Sequence, residues 1–262
     1  MILLFGGTVE TGEICTRLLH LGEEVLVSTA TACPLRLPDS EKLFRNVGAL
    51  DAPAIIALMK AWNITYVVDA THPYATGIRV NSLLAARALQ LPHAAYTRTP
   101  YFTPGMQNVT LCGTHAEAAA LACETGRPIL TTVGTNHLDV YVTHAREKGI
   151  SLYARVLSRA DYESRSRTAP LSAHQLIVGR GPYSLSDNIE TIQKNEIGVM
   201  VTKDGGKAAA VESKHRACLH TDARLLVVER PPVNAPVNFN SIHRLIEHMK
   251  GMLNVHRHLS GY

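Results

Sequence analysis

A chain of 262 residues, 46% of them hydrophobic, is long enough for one large or two modest domains and too apolar for wholesale disorder. No apolar run approaches the roughly 20 residues of a membrane span, and the N-terminus lacks the basic lead and apolar core of a signal peptide, so a cytoplasmic protein with no membrane partner is expected. The net charge of +4 comes with 5% aromatic residues and no basic run interleaved with them, which argues against nucleic acid.

Short apolar strands alternate with helical stretches, the signature of a parallel sheet covered by helices. In the first half, strands are predicted at 2–5, 24–29, 43–46, 65–69 and 94–97, with helices at 10–21, 52–62 and 76–90. Two prolines and a glycine within Thr99–Gly105 mark a crossover, and a second series follows. Its strands are predicted at 108–112, 128–132, 151–156, 175–179, 198–202 and 224–229, with helices at 114–124, 136–148, 185–195 and 207–218. Prolines at 231, 232 and 236 close the last strand, and an amphipathic helix near 240–251 precedes a frayed tail. The expected fold is α/β: two doubly wound Rossmann-like lobes with parallel sheets, residues 1–98 for nucleotide binding and 99–262 for substrate contacts, with the active-site cleft between them. Pro128–Thr135 loosely echoes the opening Ile2–Thr8 segment.

The most informative stretch is Asp69-Ala70-Thr71-His72-Pro73-Tyr74-Ala75, where the apolar strand Tyr66-Val67-Val68 runs into polar groups and then a helix. In open α/β sheets the carboxyl ends of the strands face the ligand crevice, and helices starting there point N–H groups at it. Ile2-Leu3-Leu4-Phe5 breaks in the same way into Gly6-Gly7-Thr8-Val9-Glu10. This is not the GxGxxG fingerprint, but glycines at a helix mouth suit a phosphate; a plain tight βα turn would look similar. The second strand ends in Ser28-Thr29-Ala30-Thr31 with no acidic residue for a ribose 2′-hydroxyl, which leans toward NADPH over NADH, with Arg36 as a candidate partner.

Residues 1–98 carry 8 basic and 8 acidic side chains and residues 99–262 carry 18 and 14, so the excess belongs to the second half. Arg155, Arg159, Arg165, Arg167 and Arg180 face only Asp161 and Glu163 over residues 150–180, which suits an anionic ligand or a solvated basic loop. Two more turns follow strands here. Gly179-Arg180-Gly181-Pro182-Tyr183-Ser184 offers ligand contacts, or simply a helix cap at Ser184 or Ser186. Thr202-Lys203-Asp204-Gly205-Gly206 offers a lysine and a carboxylate, or a surface ion pair. The five cysteines (Cys15, Cys33, Cys112, Cys123, Cys218) are scattered without a CxxC pair and read as reduced structural thiols. His243, His248, His256 and His258 are expected to face solvent, and no metal site is predicted.

Gly6-Gly7-Thr8-x-Glu10, Asp69-Ala70-Thr71-His72-Pro73-Tyr74-Ala75, Gly181-Pro182-Tyr183-Ser184 and Thr202-Lys203-Asp204-x-Gly206, in this order and spacing, resemble the precorrin-6A reductases of cobalamin biosynthesis over about residues 1–232. The resemblance implies reduction of one macrocycle double bond of precorrin-6A or cobalt-precorrin-6A to precorrin-6B, by hydride from a reduced nicotinamide cofactor, which the residues after the second strand favour as NADPH, with NADH as the alternative. It implies a tetrapyrrole partner and hand-over to neighbouring enzymes of the pathway. Cofactor contacts are then expected from Gly6, Gly7, Thr8, Glu10, Ser28, Thr29, Thr71, His72 and Pro73. Substrate contacts are expected from Arg155, Arg180, Gly181, Tyr183, Ser184 and Lys203, with the arginines and the lysine on its carboxylates, and positioning or proton supply from His72, Tyr74, Lys203 and Asp204. Two other readings compete. A sugar-nucleotide epimerase or dehydratase on a similar fold is disfavoured because Tyr66 and Tyr96 have no lysine four residues on. A non-enzymatic nucleotide-sensing module would leave the strand-end groups of the second lobe without a role.

Overall fold

The computed structural model describes the chain apart from Cys33, Thr168, Ala169, residues 207–209 and residues 260–262, and the side chains of 254–259. The readings of Cys33, His256 and His258, and the first turn of the helix predicted from 207, therefore lie outside the described residues. Two compact units emerge: Met1–Thr99 with Pro231–Tyr262, and Pro100–Arg230. Elements are numbered along the whole chain.

The first unit holds one parallel sheet of six strands, β1 (Ile2–Phe5), β2 (Val25–Thr29), β3 (Leu43–Val47), β4 (Tyr66–Asp69), β5 (His93–Tyr96) and β12 (Val237–Phe239), in the order β12-β5-β4-β1-β2-β3. Every residue of β1, β2 and β4 is buried, as a strand covered by helices on both faces must be. Burying such an apolar side chain contributes about 1.5–3 kcal/mol, which is why these runs carry no alternation. Helices α1 (Glu10–His20) and α9 (Ile242–Leu259) cover one face, packing Ile14, Leu18, Leu245 and Met249 on Ile2, Leu4 and Val27. Helices α2 (Ala52–Ala61) and α3 (Thr76–Ala88) cover the other, packing Ile55, Met59, Ala85 and Ala86 on Leu3, Phe5 and Val67. Asp51 starts α2 by accepting the Ala54 N–H at 2.9 Å.

The second unit repeats the plan with β6 (Val109–Cys112), β7 (Ile129–Thr131), β8 (Leu152–Val156), β9 (Leu176–Val178), β10 (Val199–Lys203) and β11 (Arg224–Val228), all parallel, in the order β6-β11-β10-β7-β8-β9. Its helices are α4 (His115–Cys123), α5 (Leu138–Glu147), α6 (Arg159–Arg165), α7 (Leu185–Lys194) and α8 (Val211–Thr221). The two orders superimpose: β7 stands where β1 stands, β10 where β4 stands, and β11 where β5 stands. The outermost strands are exchanged. The strand that follows β5 in sequence, β6, lies beside β11, and the strand that follows β11, β12, lies beside β5.

Four features differ from the sequence reading. The unit predicted as 99–262 ends at Arg230, because β12 and α9 complete the first sheet and its core. Strand β12 was hidden by the prolines at 231, 232 and 236 that precede it and is only three residues long. Helix α9 runs through Gly251 to Leu259, beyond the frayed tail expected there. Helix α6 lies in the stretch read as a basic loop; Ser158 caps it by accepting the Asp161 N–H at 3.0 Å, and Asp161 pairs with Arg165 at 2.8 Å. Among the described residues no helix is long and apolar enough to cross a membrane.

Candidate functional site

In each sheet the strand order reverses between two neighbours, β1 and β4 in the first, β7 and β10 in the second. Crevices for ligands form at the carboxyl ends of strands at such points. Each unit has a cavity there.

The cavity of the first unit, about 410 Å³, is lined by Gly6 and Gly7 after β1, Ser28, Thr29 and Ala30 at the end of β2, Gly48, Ala49 and Leu50 after β3, Thr71, His72 and Ala75 after β4, and Gly77, Ile78 and Asn81 on α3. Both turns singled out in the sequence thus line one cavity. The β3 end and the α3 face were not anticipated. Asp69 supports the turn from beneath the lining: fully buried, it accepts the Thr71 N–H (2.9 Å), the Thr71 hydroxyl (2.6 Å) and Arg79 Nε (3.0 Å). Arg79, itself buried, also donates to the Pro73 carbonyl at 3.4 Å. His72 is exposed at the rim, where its Nδ1 accepts the Tyr74 N–H at 3.4 Å.

The glycine turn differs from the expected phosphate cradle. Thr11 Oγ1 accepts the N–H groups of both Gly7 and Thr8 at 3.1 Å, so these amides are satisfied from within. Thr11 also fixes the glycines, since a Cβ on Gly6 would lie 2.5 Å from its methyl group, while Gly7 has φ +111°, a backbone that L side chains rarely adopt. Thr8 is buried with its hydroxyl donating to the Ala70 carbonyl at 3.2 Å, which ties the turn after β1 to the turn after β4. Glu10 pairs with Arg98 at 2.6 Å and, like Thr8 and Pro73, does not line the cavity. Arg36 is absent from the lining as well. Ser28 accepts from Asn46 Nδ2 at 3.1 Å, and the lining carries no carboxylate.

The cavity of the second unit, about 370 Å³, is lined by Thr132–Asn136 after β7, Arg155, Val156 and Leu157 at the end of β8, Asp161 and Arg165 on α6, Gly179 after β9, and Lys203 at the end of β10. Arg155 is buried. It donates to Asn188 Oδ1 and to Thr191 Oγ1 (3.1 Å) and lies 4.1 Å above the Tyr183 ring, and burial holds its pKa below the usual range. Burial likewise lowers Lys203. Two histidines coupled to Lys203, His115 and His137, stack at 4.0 Å; burial lowers both, His115 to about 4.

Three expectations give way here. Asp204 is buried, accepts the amides of Tyr101 (2.9 Å), Phe102 (3.1 Å) and Gly206 (2.9 Å) and pairs with Arg230 at 3.1 Å, so it braces the two ends of its unit and is absent from the cavity lining. Ser184 caps α7, accepting the Asp187 N–H at 3.1 Å while Asp187 accepts the Ser184 N–H at 2.8 Å. Arg180, Gly181 and Ser184 are exposed and, like the half-buried Tyr183, absent from the cavity lining. Lys214 on α8 was missed. Its Nζ donates to Thr132 Oγ1 (3.1 Å) and Thr202 Oγ1 (3.0 Å) at the β7 and β10 ends, and burial first, then Arg155 and Lys203, lower its pKa to about 7. Among the described residues no cluster of three His, Cys, Asp or Glu is arranged to hold a metal, and Cys15, Cys112, Cys123 and Cys218 are buried free thiols.

A sequence model of the family "Precorrin-6x reductase CbiJ/CobK" matches residues 1–250. The chain is 29% identical over 259 residues to the precorrin-6A reductase of Mycobacterium tuberculosis, covering 96% of this chain and 98% of that one. It is 25% identical over 249 residues to the cobalt-precorrin-6A reductase of Priestia megaterium, covering 94% and 96%. The solved structure of a CobK precorrin-6A reductase matches with a TM-score of 0.74 at 21% identity, covering 95% of both chains, and shares the fold. The chain belongs to the precorrin-6x reductase family, and is a reductase on that ground.

Proposed function

We propose that this member of the precorrin-6x reductase family reduces one carbon–carbon double bond of the precorrin-6A macrocycle, in its metal-free or cobalt form, by hydride from NADPH, and so forms the precorrin-6B stage of cobalamin biosynthesis. NADH is the alternative donor. The observation that carries the cofactor half is the first-unit cavity, where both predicted turns meet the ends of β2 and β3 at the sheet's switch point. Gly6, Gly7, Ser28, Thr29, Thr71 and His72 line a space of nucleotide-binding kind, and the absence of a carboxylate from that lining leaves a 2′-phosphate unopposed. A bound nicotinamide supplies hydride; the protein's own part is to position and to exclude water.

The second unit holds the substrate's acetate and propionate arms through Arg155 and Lys203, by charge-assisted hydrogen bonds. His72, seated by Tyr74, orients the ring that receives hydride. A pathway intermediate made and consumed in the cytoplasm suits hand-over to the neighbouring enzymes. The test is to mix the purified macrocycle with the protein and NADPH or NADH. Loss of reduced-nicotinamide absorbance, matched mole for mole by a shift in the macrocycle's spectrum, is expected. Oxidation of neither cofactor would sink the proposal and favour a nucleotide-sensing role.

A further inference from the structure

Behind the wall of the second-unit cavity, which Arg155 lines and Tyr183 and Lys214 do not, lie buried polar atoms that the molecule does not satisfy. Arg155 is 6% exposed, yet its Nε has no hydrogen-bond partner, and neither does the buried hydroxyl of Tyr183, over whose ring Arg155 lies. That hydroxyl is tucked against Gly179, where a Cβ would lie 2.6 Å from it, and Gly179 lines the cavity. Lys214 is tied to the same wall through Thr132, and α8 is tied to Arg155 through Asn188, whose Nδ2 donates to Ser213 Oγ at 3.2 Å. The Thr132 hydroxyl has the Val201 carbonyl as its acceptor at 3.1 Å and the Thr202 hydroxyl has the Lys203 carbonyl at 3.4 Å. Their oxygens are thus left to accept from the ammonium, as observed. Among the described residues no carboxylate pairs with Lys214 or Arg155. Uncompensated buried donors and cations of this kind are rare in folded proteins unless a ligand completes them.

We propose that Arg155, Tyr183 and Lys214 form a receptor for one carboxylate of the bound macrocycle, and that Lys214 takes up a proton as that carboxylate seats. This rests on the reading of the substrate as a polycarboxylate tetrapyrrole. The groups facing Lys214 are Arg155 from β8 and Lys203 from β10, both repelling its charge, and the Cys218 thiol on its own helix; Asp187 on α7 acts on Arg155 from the exposed side. With only cations beside it, Lys214 loses its proton near neutrality, whereas a carboxylate against it restores the ammonium. The sign follows. Below about pH 7 the lysine is already charged and binding takes up no proton. Above it, each pH unit weakens binding by up to about tenfold until the complex itself titrates. Burial lowers His115 to about 4, below that window, and lowers His137 as well.

The test uses the whole protein and a stable porphyrin bearing acetate and propionate arms, with calorimetry in buffers of different ionisation enthalpy at pH 6 and pH 8. Uptake of close to one proton per porphyrin at pH 8, and of little at pH 6, is expected. Lys214→Met should abolish the uptake and flatten the pH dependence. Lys214→Arg, which keeps the charge but does not titrate, should bind at pH 8 at least as tightly as the parent with no uptake, and it carries the measurement should the methionine variant fail to fold. Tight binding with uptake unchanged in Lys214→Arg, or with no uptake in the parent, would overturn the role of Lys214 and leave the substrate reading standing. No porphyrin binding by the parent protein at either pH would overturn both.

Discussion

In the first unit the turn after β4 neutralises its own charge: Asp69 is buried against Arg79, and both are anchored to the backbone of the turn they support. In the second, the strand in the matching position, β10, ends in a half-buried lysine, while the nearby carboxylate of Asp204 is turned to its unit's own ends. Beside it Arg155 lies buried without a carboxylate. One strand order therefore carries two kinds of floor. The first is electrically closed, and shape, hydroxyls and glycines are what it offers a ligand. The second is open on the cationic side, and an acidic ligand is what would close it.

The strongest attack on this contrast is Arg79→Met, which leaves Asp69 buried and uncompensated. Removing one partner of a buried ion pair costs about 3–5 kcal/mol, so urea denaturation should show a loss of that size. A loss under about 1 kcal/mol would mean that the first floor is not closed by this pair. Next comes Lys203→Ala. A hydrogen bond to a charged group contributes about 1.5–3 kcal/mol, so kcat/KM for the tetrapyrrole should fall by roughly 10- to 100-fold while cofactor affinity hardly moves. A defect confined to the cofactor would place the lysine on the wrong side of the comparison.

A smaller effect is expected when charge is added to the neutral floor. Ala30 is exposed at the end of β2 within the first cavity. Ala30→Asp should weaken NADPH relative to NADH by roughly tenfold, through repulsion of the 2′-phosphate at a few ångströms' range. Equal effects on the two cofactors in side-by-side titrations would remove the 2′-phosphate from that corner. The smallest change is Ser184→Ala. Loss of an N-cap costs about 1 kcal/mol, so the melting temperature should drop by a few degrees with kinetics unaltered; a raised KM for the macrocycle would restore Ser184 to the ligand site.

The strand-end turns were legible because an apolar run that breaks into glycine, threonine or aspartate changes physical character within two residues, and the parallel α/β plan fixes which end of the strand that is. The partners of these turns were not legible. Thr11 takes the amides of Gly7 and Thr8 from inside α1, where a threonine among helical residues gives no hint of facing backward. Lys214 reads as one more polar position in Val211-Glu212-Ser213-Lys214-His215; only the approach of α8 to the ends of β7 and β10 turns it into a half-buried donor to Thr132 and Thr202. Asp204 and Ser184 show the converse error, since chemically capable residues in the right turn were recruited by the backbone. Strand β12 was missed because its partner β5 lies far away in sequence, and three residues directly after a proline carry no periodicity of their own.

The exchange of outer strands sets a timetable for the ribosome. Residues Pro100–Arg230 form one uninterrupted stretch, so the second unit has all of its strands as soon as β11 has emerged. The first unit is translated earlier but completed later. Strands β1 to β5 must wait for that entire stretch to be synthesised before β12 and α9 arrive to cover the open side of β5 and one face of the sheet. During that wait a row of unpaired N–H and C=O groups on β5 is available to any passing strand. The nearest competitor is β6, the next strand off the ribosome, and the fold requires it to be claimed by β11 instead.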